Sequence, residues 1–152
     1  SIFTLDTDLA APFATPGKGE PTSMTETLYE GVRTMLNFSF SSTDPRGNAK
    51  WNNAMQAYAE CKDFSIPVNI SNNPQDFGFP CNLGLAATFD PDLAKKVAQE
   101  ESKAYHAEGV NTLLGPQIDC TTEPRWSRIT GTYGEDPALS RDMTNAYSSG
   151  LQ

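Results

Sequence analysis

Two arginines flank a tryptophan in EPRWSRITGTYGEDP, Glu123 to Pro137, where Pro124 and Gly131 interrupt helix and strand alike. Arg125 and Arg128 present planar guanidinium groups whose paired N–H donors match vicinal hydroxyls as well as carboxylates. Trp126 offers an aromatic face that can stack on a sugar ring or pack the loop down. The alternative for each arginine is structural: it pins a long loop by binding carbonyls or a neighbouring acid such as Glu123 or Glu135. A second polar cluster, Asn72, Asn73, Gln75 and Asp76 around Pro74, follows an apolar pentapeptide. Those side chains can read hydroxyls, or form Asx-turns that shape the loop.

Other chemistries have little to build from. His106 is the sole histidine and falls on the polar side of a helical pattern, so a Ser-His-Asp or Cys-His mechanism is not expected. No His, Cys, Asp or Glu spacing suggests a metal. Neither GxGxxG nor GxxxxGK[ST] follows a strand, so no nucleotide or other cofactor is expected. A net charge of −8 argues against a nucleic-acid partner. No run of 18 apolar residues occurs, and no membrane insertion is expected. Cys61, Cys81 and Cys120 are widely spaced and leave open one disulfide with a free thiol, or three thiols. Asn37 (NFS) and Asn69 (NIS) fit the glycosylation sequon but lie in expected strands.

The elements that must position these residues alternate. Residues 1–25 read as a loop or linker, because 11–25 are rich in Pro, Gly, Ser and Thr. Val32–Phe40 is expected as a strand and SSTDPRGN as a turn. Ala49–Cys61 is expected as a helix, with Trp51, Ala54, Met55, Tyr58 and Cys61 at helical spacing. Ile66–Ile70 is a second strand, followed by a loop of about twenty residues. Asp90 as N-cap and Pro91 at the first helical position then open a helix with Leu93, Ala94, Val97, Ala98, Ala104 and Tyr105 inward. Gly109 ends it. Val110–Asp119 is apolar enough for a strand buried on both faces. A third helix starts at Asp136-Pro137, with Leu139, Met143, Ala146 and Tyr147 inward.

Strand-helix alternation predicts an α/β fold with a parallel sheet of about three βα units. Connections from helix to strand are short and those from strand to helix long, which in a (β/α)8 barrel is the side that carries function. Three units do not close an eight-stranded barrel of about 250 residues. With no initiator methionine at Ser1 and no basic n-region after it, the chain reads as a processed or cut-out segment.

Together, IPVNISNNPQDFGFP, LGLAATFDPDLA, EGVNTLLGPQID and EPRWSRITGTYGEDPAL resemble the N-terminal barrel of glycoside hydrolase family 3, over about Asn52 to Gln152. The resemblance implies a partial (β/α)8 TIM-type barrel across residues 26–152. It implies a retaining, exo-acting β-glycosidase, β-glucosidase above all, acting on a terminal β-linked sugar. Arg128 matches the arginine that bonds sugar hydroxyls beside the cleaved bond, while Arg125 and Trp126 brace the loop. Ser127 stands where the family usually has glycine. Asn73 stands where the family has a sugar-binding aspartate, and Asp76 stands where histidine is common and could supply the missing carboxylate. Similar enzymes carry a Lys-His pair, then an aspartate nucleophile in an SDW- or TDW-like motif, with the acid/base on a further loop or second domain. None of these occurs here, so no catalytic residue is assigned. The implied partners are a small carbohydrate, the remainder of the barrel and a C-terminal domain, and the implied location is secreted or periplasmic. The alternative is a non-catalytic carbohydrate-binding or structural remnant of such a barrel.

Overall fold

The structure, a computed structural model, describes residues 12–13, 22–23, 28–36, 45–74 and 78–152. Two compact units divide the chain. The first comprises Ser1–Asn72 and Ala107–Thr112, the second Asn73–His106 and Leu113–Gln152. Within the stretch expected to be a linker, β1 (Pro12–Phe13) and β2 (Thr22–Ser23) form a short antiparallel pair.

The first unit is built on parallel strands. β3 (Thr34–Leu36) pairs with β4 (Asn69–Asn72) in the register Thr34↔Asn69, Met35↔Ile70 and Leu36↔Ser71. β5 (Thr112–Leu113) follows in the order β3-β4-β5. Helix α1 (Pro45–Glu60) buries Ala54, Met55 and Ala59. It starts earlier than its apolar spacing predicts: Pro45 to Asn48, expected as part of a turn, form its first turn. It also stops one residue sooner, leaving Cys61 exposed.

Polar side chains, not hydrophobic pattern, decide where β4 begins. The amide of Gln56 donates to the Val68 carbonyl (2.7 Å) and accepts from the Val68 N–H (2.9 Å), so this residue's main chain is engaged before the ladder starts. The strand is therefore Asn69–Asn72 rather than Ile66–Ile70, and Ile66 is exposed. Asn111 accepts from the Ile70 N–H (2.9 Å) through its side chain, and its own N–H donates to the Ile70 carbonyl (3.0 Å). Asn69 Oδ1 accepts from the Thr112 hydroxyl, so this sequon asparagine is tied into the sheet; Asn37 lies outside the described residues. Residues 37–40 of the first expected strand lie outside them too.

The third strand is two residues long, not ten. Beyond it Leu114 and Ile118 are exposed, which corrects the expectation of a strand buried on both faces. Pro116 has no N–H to extend a ladder.

In the second unit, α3 (Pro91–Glu108) and α4 (Pro137–Leu151) start as expected. Asp90 Oδ1 accepts from the Leu93 N–H (3.1 Å), and Asp136 Oδ1 from the Ala138 N–H (2.7 Å). Within the long loop expected before Asp90 lies a short helix, α2 (Asn82–Ala86). Leu85, Ala86, Ala94, Tyr133 and Met143 form the core, with Val97, Leu139 and Ala146 packed on it. Full burial of a side chain such as Met143 stabilises by about 1.5–3 kcal/mol. Leu93, expected inward, lies at the margin of the stripe and is 37% exposed.

The α3–α4 seam also holds a buried polar pair that spacing did not suggest. Glu101, 1% exposed, accepts a short hydrogen bond from the Tyr147 hydroxyl. Burial, then this bond and the carboxylate, push the Tyr147 phenol far above its ordinary range. Gly150 lies against Lys95 and Ala98, where a Cβ would meet the Lys95 carbonyl and stand 2.8 Å from the Ala98 methyl.

Candidate functional site

The second unit contains a cleft of about 280 Å³, near the lower end of the range of about 300–1,000 Å³ for small-molecule sites. Its polar lining comes from four places in the chain: Asn73 after β4, Asn82 on α2, Gln117 after β5, and Arg128 and Thr130 in the arginine loop. Among the described residues, no carboxylate lines it.

The arginine loop is a closed hydrogen-bonded construction. The Thr121 N–H donates to the Gly134 carbonyl (2.9 Å), and the Thr121 hydroxyl donates to that of Thr132 (3.1 Å). Thr132 in turn donates to the Ile129 carbonyl (2.9 Å). Inside this frame, the N–H groups of Trp126, Ile129 and Gly131 each close a three-residue turn, onto Glu123, Trp126 and Arg128 respectively. Ile129–Gly131 is one turn of 3₁₀-helix, entered from Arg128 at φ −101° and ψ 9°.

Its two arginines have different fates. Arg125 grips Glu123 with two parallel bonds, Nε to Oε1 and Nη2 to Oε2, both 2.8 Å, and its own N–H adds a third at 2.9 Å. These bonds hold the Glu123 carboxyl down at about 2 and raise Arg125 above its usual value. Arg125 is therefore the loop brace that the spacing left open. Arg128 lines the cleft, and its guanidinium forms no hydrogen bond or ion pair among the described residues, so those donors are available to a ligand.

Asn73 reaches the same cleft, half-buried, with its carbonyl accepting from the Tyr105 hydroxyl (2.7 Å). The sequence-predicted pair Asn73 and Arg128 is thus brought together. Asp76, the third candidate, lies outside the described residues, as does Gln75. Asn72 is buried as the last residue of β4. Trp126 is exposed, and its backbone N–H donates to the Glu123 carbonyl within the loop. His106 is exposed on α3 and is not part of the cleft lining. All three cysteines are free thiols.

Sequence reasoning missed Asn82, Gln117 and Thr130. The available signal was polarity out of place: Asn82 interrupts the apolar CNLGLAATF, and Gln117 the apolar TLLGPQI. Among the described residues no group of His, Cys, Asp and Glu could hold a metal ion, and no helix is long and apolar enough to cross a membrane.

Parallel βα units are the class of fold in which ligands are bound on the loops that follow the strands. Residues 32–152 match the glycosyl hydrolase family 3 N terminal domain, and the chain belongs to that family. It is 37% identical over 127 residues to a periplasmic beta-glucosidase/beta-xylosidase of Dickeya chrysanthemi, covering 74% of this chain and 19% of that protein. It is 35% identical over 145 residues to beta-glucosidase C of Emericella nidulans, covering 84% and 23%. Among solved structures it is similar to a β-glucosidase from Erythrobacter marinus, with a TM-score of 0.70 and 29% identity over 77% of this chain and 16% of that one. The α/β architecture is thus part of a (β/α)8 TIM-type barrel. The chain spans about a fifth of the length of these curated relatives.

Proposed function

We propose that this chain is the sugar-binding part of a retaining, exo-acting β-glycosidase, most simply a β-glucosidase, that removes terminal β-linked sugars. Arg128 donates to vicinal hydroxyls of the terminal sugar, and Asn73 binds the same ring. A retaining mechanism needs two carboxyl groups about 5–5.5 Å apart, one as nucleophile and one as proton donor. Both come from polypeptide beyond these 152 residues, which completes the barrel and its companion domain. Asp76 supplies a carboxylate to the sugar where Asn73 has none. The enzyme works outside the cytoplasm, in the periplasm or secreted, in line with the name of the Dickeya relative.

The observation that carries this reading is Arg128. It is an arginine in a cleft, on a loop tied down by others, with its own guanidinium uncommitted among the described residues. The test uses the complete polypeptide that contains this sequence. Incubated with a 2-deoxy-2-fluoro aryl β-glucoside, which lets the glycosyl-enzyme form but slows its breakdown, it should accumulate a covalent adduct. Peptide mapping should place the label outside Ser1–Gln152. Label on a residue of this chain would overturn the division of labour, and absence of turnover and label would overturn the hydrolase reading.

A second reading is supported by the lack of a carboxylate among the described lining residues and by asparagine at position 73. In that reading the cleft binds a sugar without cleaving it. Saturable glucose binding by a polypeptide that never turns over aryl glycosides would select it.

A further inference from the structure

We propose that Asn82 is the positioning residue for Arg128. This inference rests on Arg128 binding the sugar. Asn82 opens α2 and is 1% exposed, yet it lies against the cleft. Its Nδ2 donates to the Gly131 carbonyl at 2.8 Å. Gly131 is the residue whose N–H closes the turn onto the Arg128 carbonyl at 3.0 Å. The 3₁₀ turn that aims Arg128 is therefore tied from outside the loop at its far end, by a side chain that sequence reasoning did not single out.

Two further observations make the tie specific. Gly131 faces the end of the Gln117 side chain, which also lines the cleft: a Cβ there would meet Gln117 Oε1 and displace it. Among the described residues the bond from Asn82 is therefore the side-chain hold on this peptide, with Gln117 beside it. In addition, Asn82 Oδ1 is buried with no hydrogen-bond partner among the described residues. A buried amide oxygen without a donor opposes folding, so an apolar side chain would suit this position better if stability alone were at stake. The feature that an apolar residue lacks is the donor to Gly131.

Asn82→Asp keeps the shape and replaces the donor with an acceptor facing a carbonyl. In the complete enzyme it should lower kcat/KM on an aryl β-glucoside by about 10- to 100-fold, the scale of a misplacement near 1 Å. In the Arg128→Ala background the same substitution should cost less than about threefold, because residues acting through one another are not additive. Equal losses in both backgrounds, or no loss in the wild-type background, would overturn the proposal while leaving Arg128 in place. If Arg128→Ala itself changes kcat/KM by less than about tenfold, the sugar-binding role of Arg128 falls, and this inference with it. Amide exchange supplies a readout independent of turnover. Asn82→Asp, or Asn82→Ala should the aspartate not fold, should speed exchange at the Gly131 N–H while the central α3 amides keep wild-type protection. Unchanged exchange at Gly131, or acceleration spread evenly over α3, counts against the proposal.

Discussion

The arginine loop, Thr121–Gly134, and the seam between α3 and α4 lie in the same unit and both rely on polar contacts, but they use them in opposite ways. In the seam, Tyr147 and Glu101 bond each other out of reach of solvent, the Ser102 hydroxyl bonds the Leu151 carbonyl (2.8 Å), and Gly150 lets the two helices approach. Both members of the Tyr147–Glu101 pair are buried. In the loop, threonine hydroxyls, backbone amides and the Asn82 amide hold the main chain, and Arg125 and Glu123 hold each other. Arg128 is left over. The seam pairs its strong donors, whereas the loop fixes its backbone and keeps one strong donor unpaired among the described residues, the pattern that the proposed binding role requires.

That contrast yields tests of decreasing size. The largest effect should come from the unpaired donor. In the complete enzyme, Arg128→Ala should remove about 2–4 kcal/mol of transition-state stabilisation, read as kcat/KM, with little change in Tm. A large fall in Tm with intact turnover would erase the distinction between the two regions. Gly150→Ala should do the reverse. Overpacking against the Lys95 carbonyl and the Ala98 methyl should destabilise the fold by about 1–3 kcal/mol in denaturant titrations, with KM unchanged for the folded fraction.

The smallest effect belongs to Arg125. Its pair with Glu123 is exposed to water, so Arg125→Ala should alter kcat/KM by less than about threefold. It should nonetheless move the Glu123 titration, followed by carboxyl-carbon NMR, from about 2 back toward 4.5. The sign is that of a depressed carboxyl. Whatever the pair contributes to loop order is fully present above the unfolded value of 4.5 and is lost as pH falls through about 2. A Glu123 that already titrates near 4.5 with Arg125 in place would mean that the loop is held without this brace.

Much of the fold was legible because local signals report local events. Asp90-Pro91 and Asp136-Pro137 marked two helix starts, since an aspartate cap and a proline at the first helical position act within one turn. Pro45 likewise stands first in α1, but the glycine and asparagine after it suggested a turn. Tertiary packing of Ala54, Met55 and Ala59 outweighs that weak propensity. The strand boundaries were misplaced for a different reason. Gln56 engages Val68 and Asn111 engages Ile70 from 12 and 41 residues away, and no hydropathy pattern reports such bonds. Of the site, the ordered motifs pointed to Arg128 and Asn73, whereas Asn82 and Gln117 read as stray polar residues in apolar runs.

By itself the sequence determined the βα alternation, the family and the chemical nature of the donors, because periodicity, capping and side-chain type are written residue by residue. Which arginine is spoken for and which is left to a ligand was decided only by tertiary structure. Arg125 and Arg128 are chemically identical and three residues apart. Arg125 is engaged because Glu123 lies within 2.8 Å of it, and Arg128 is aimed because Asn82, 49 residues from Gly131 in the chain, grips the end of its turn.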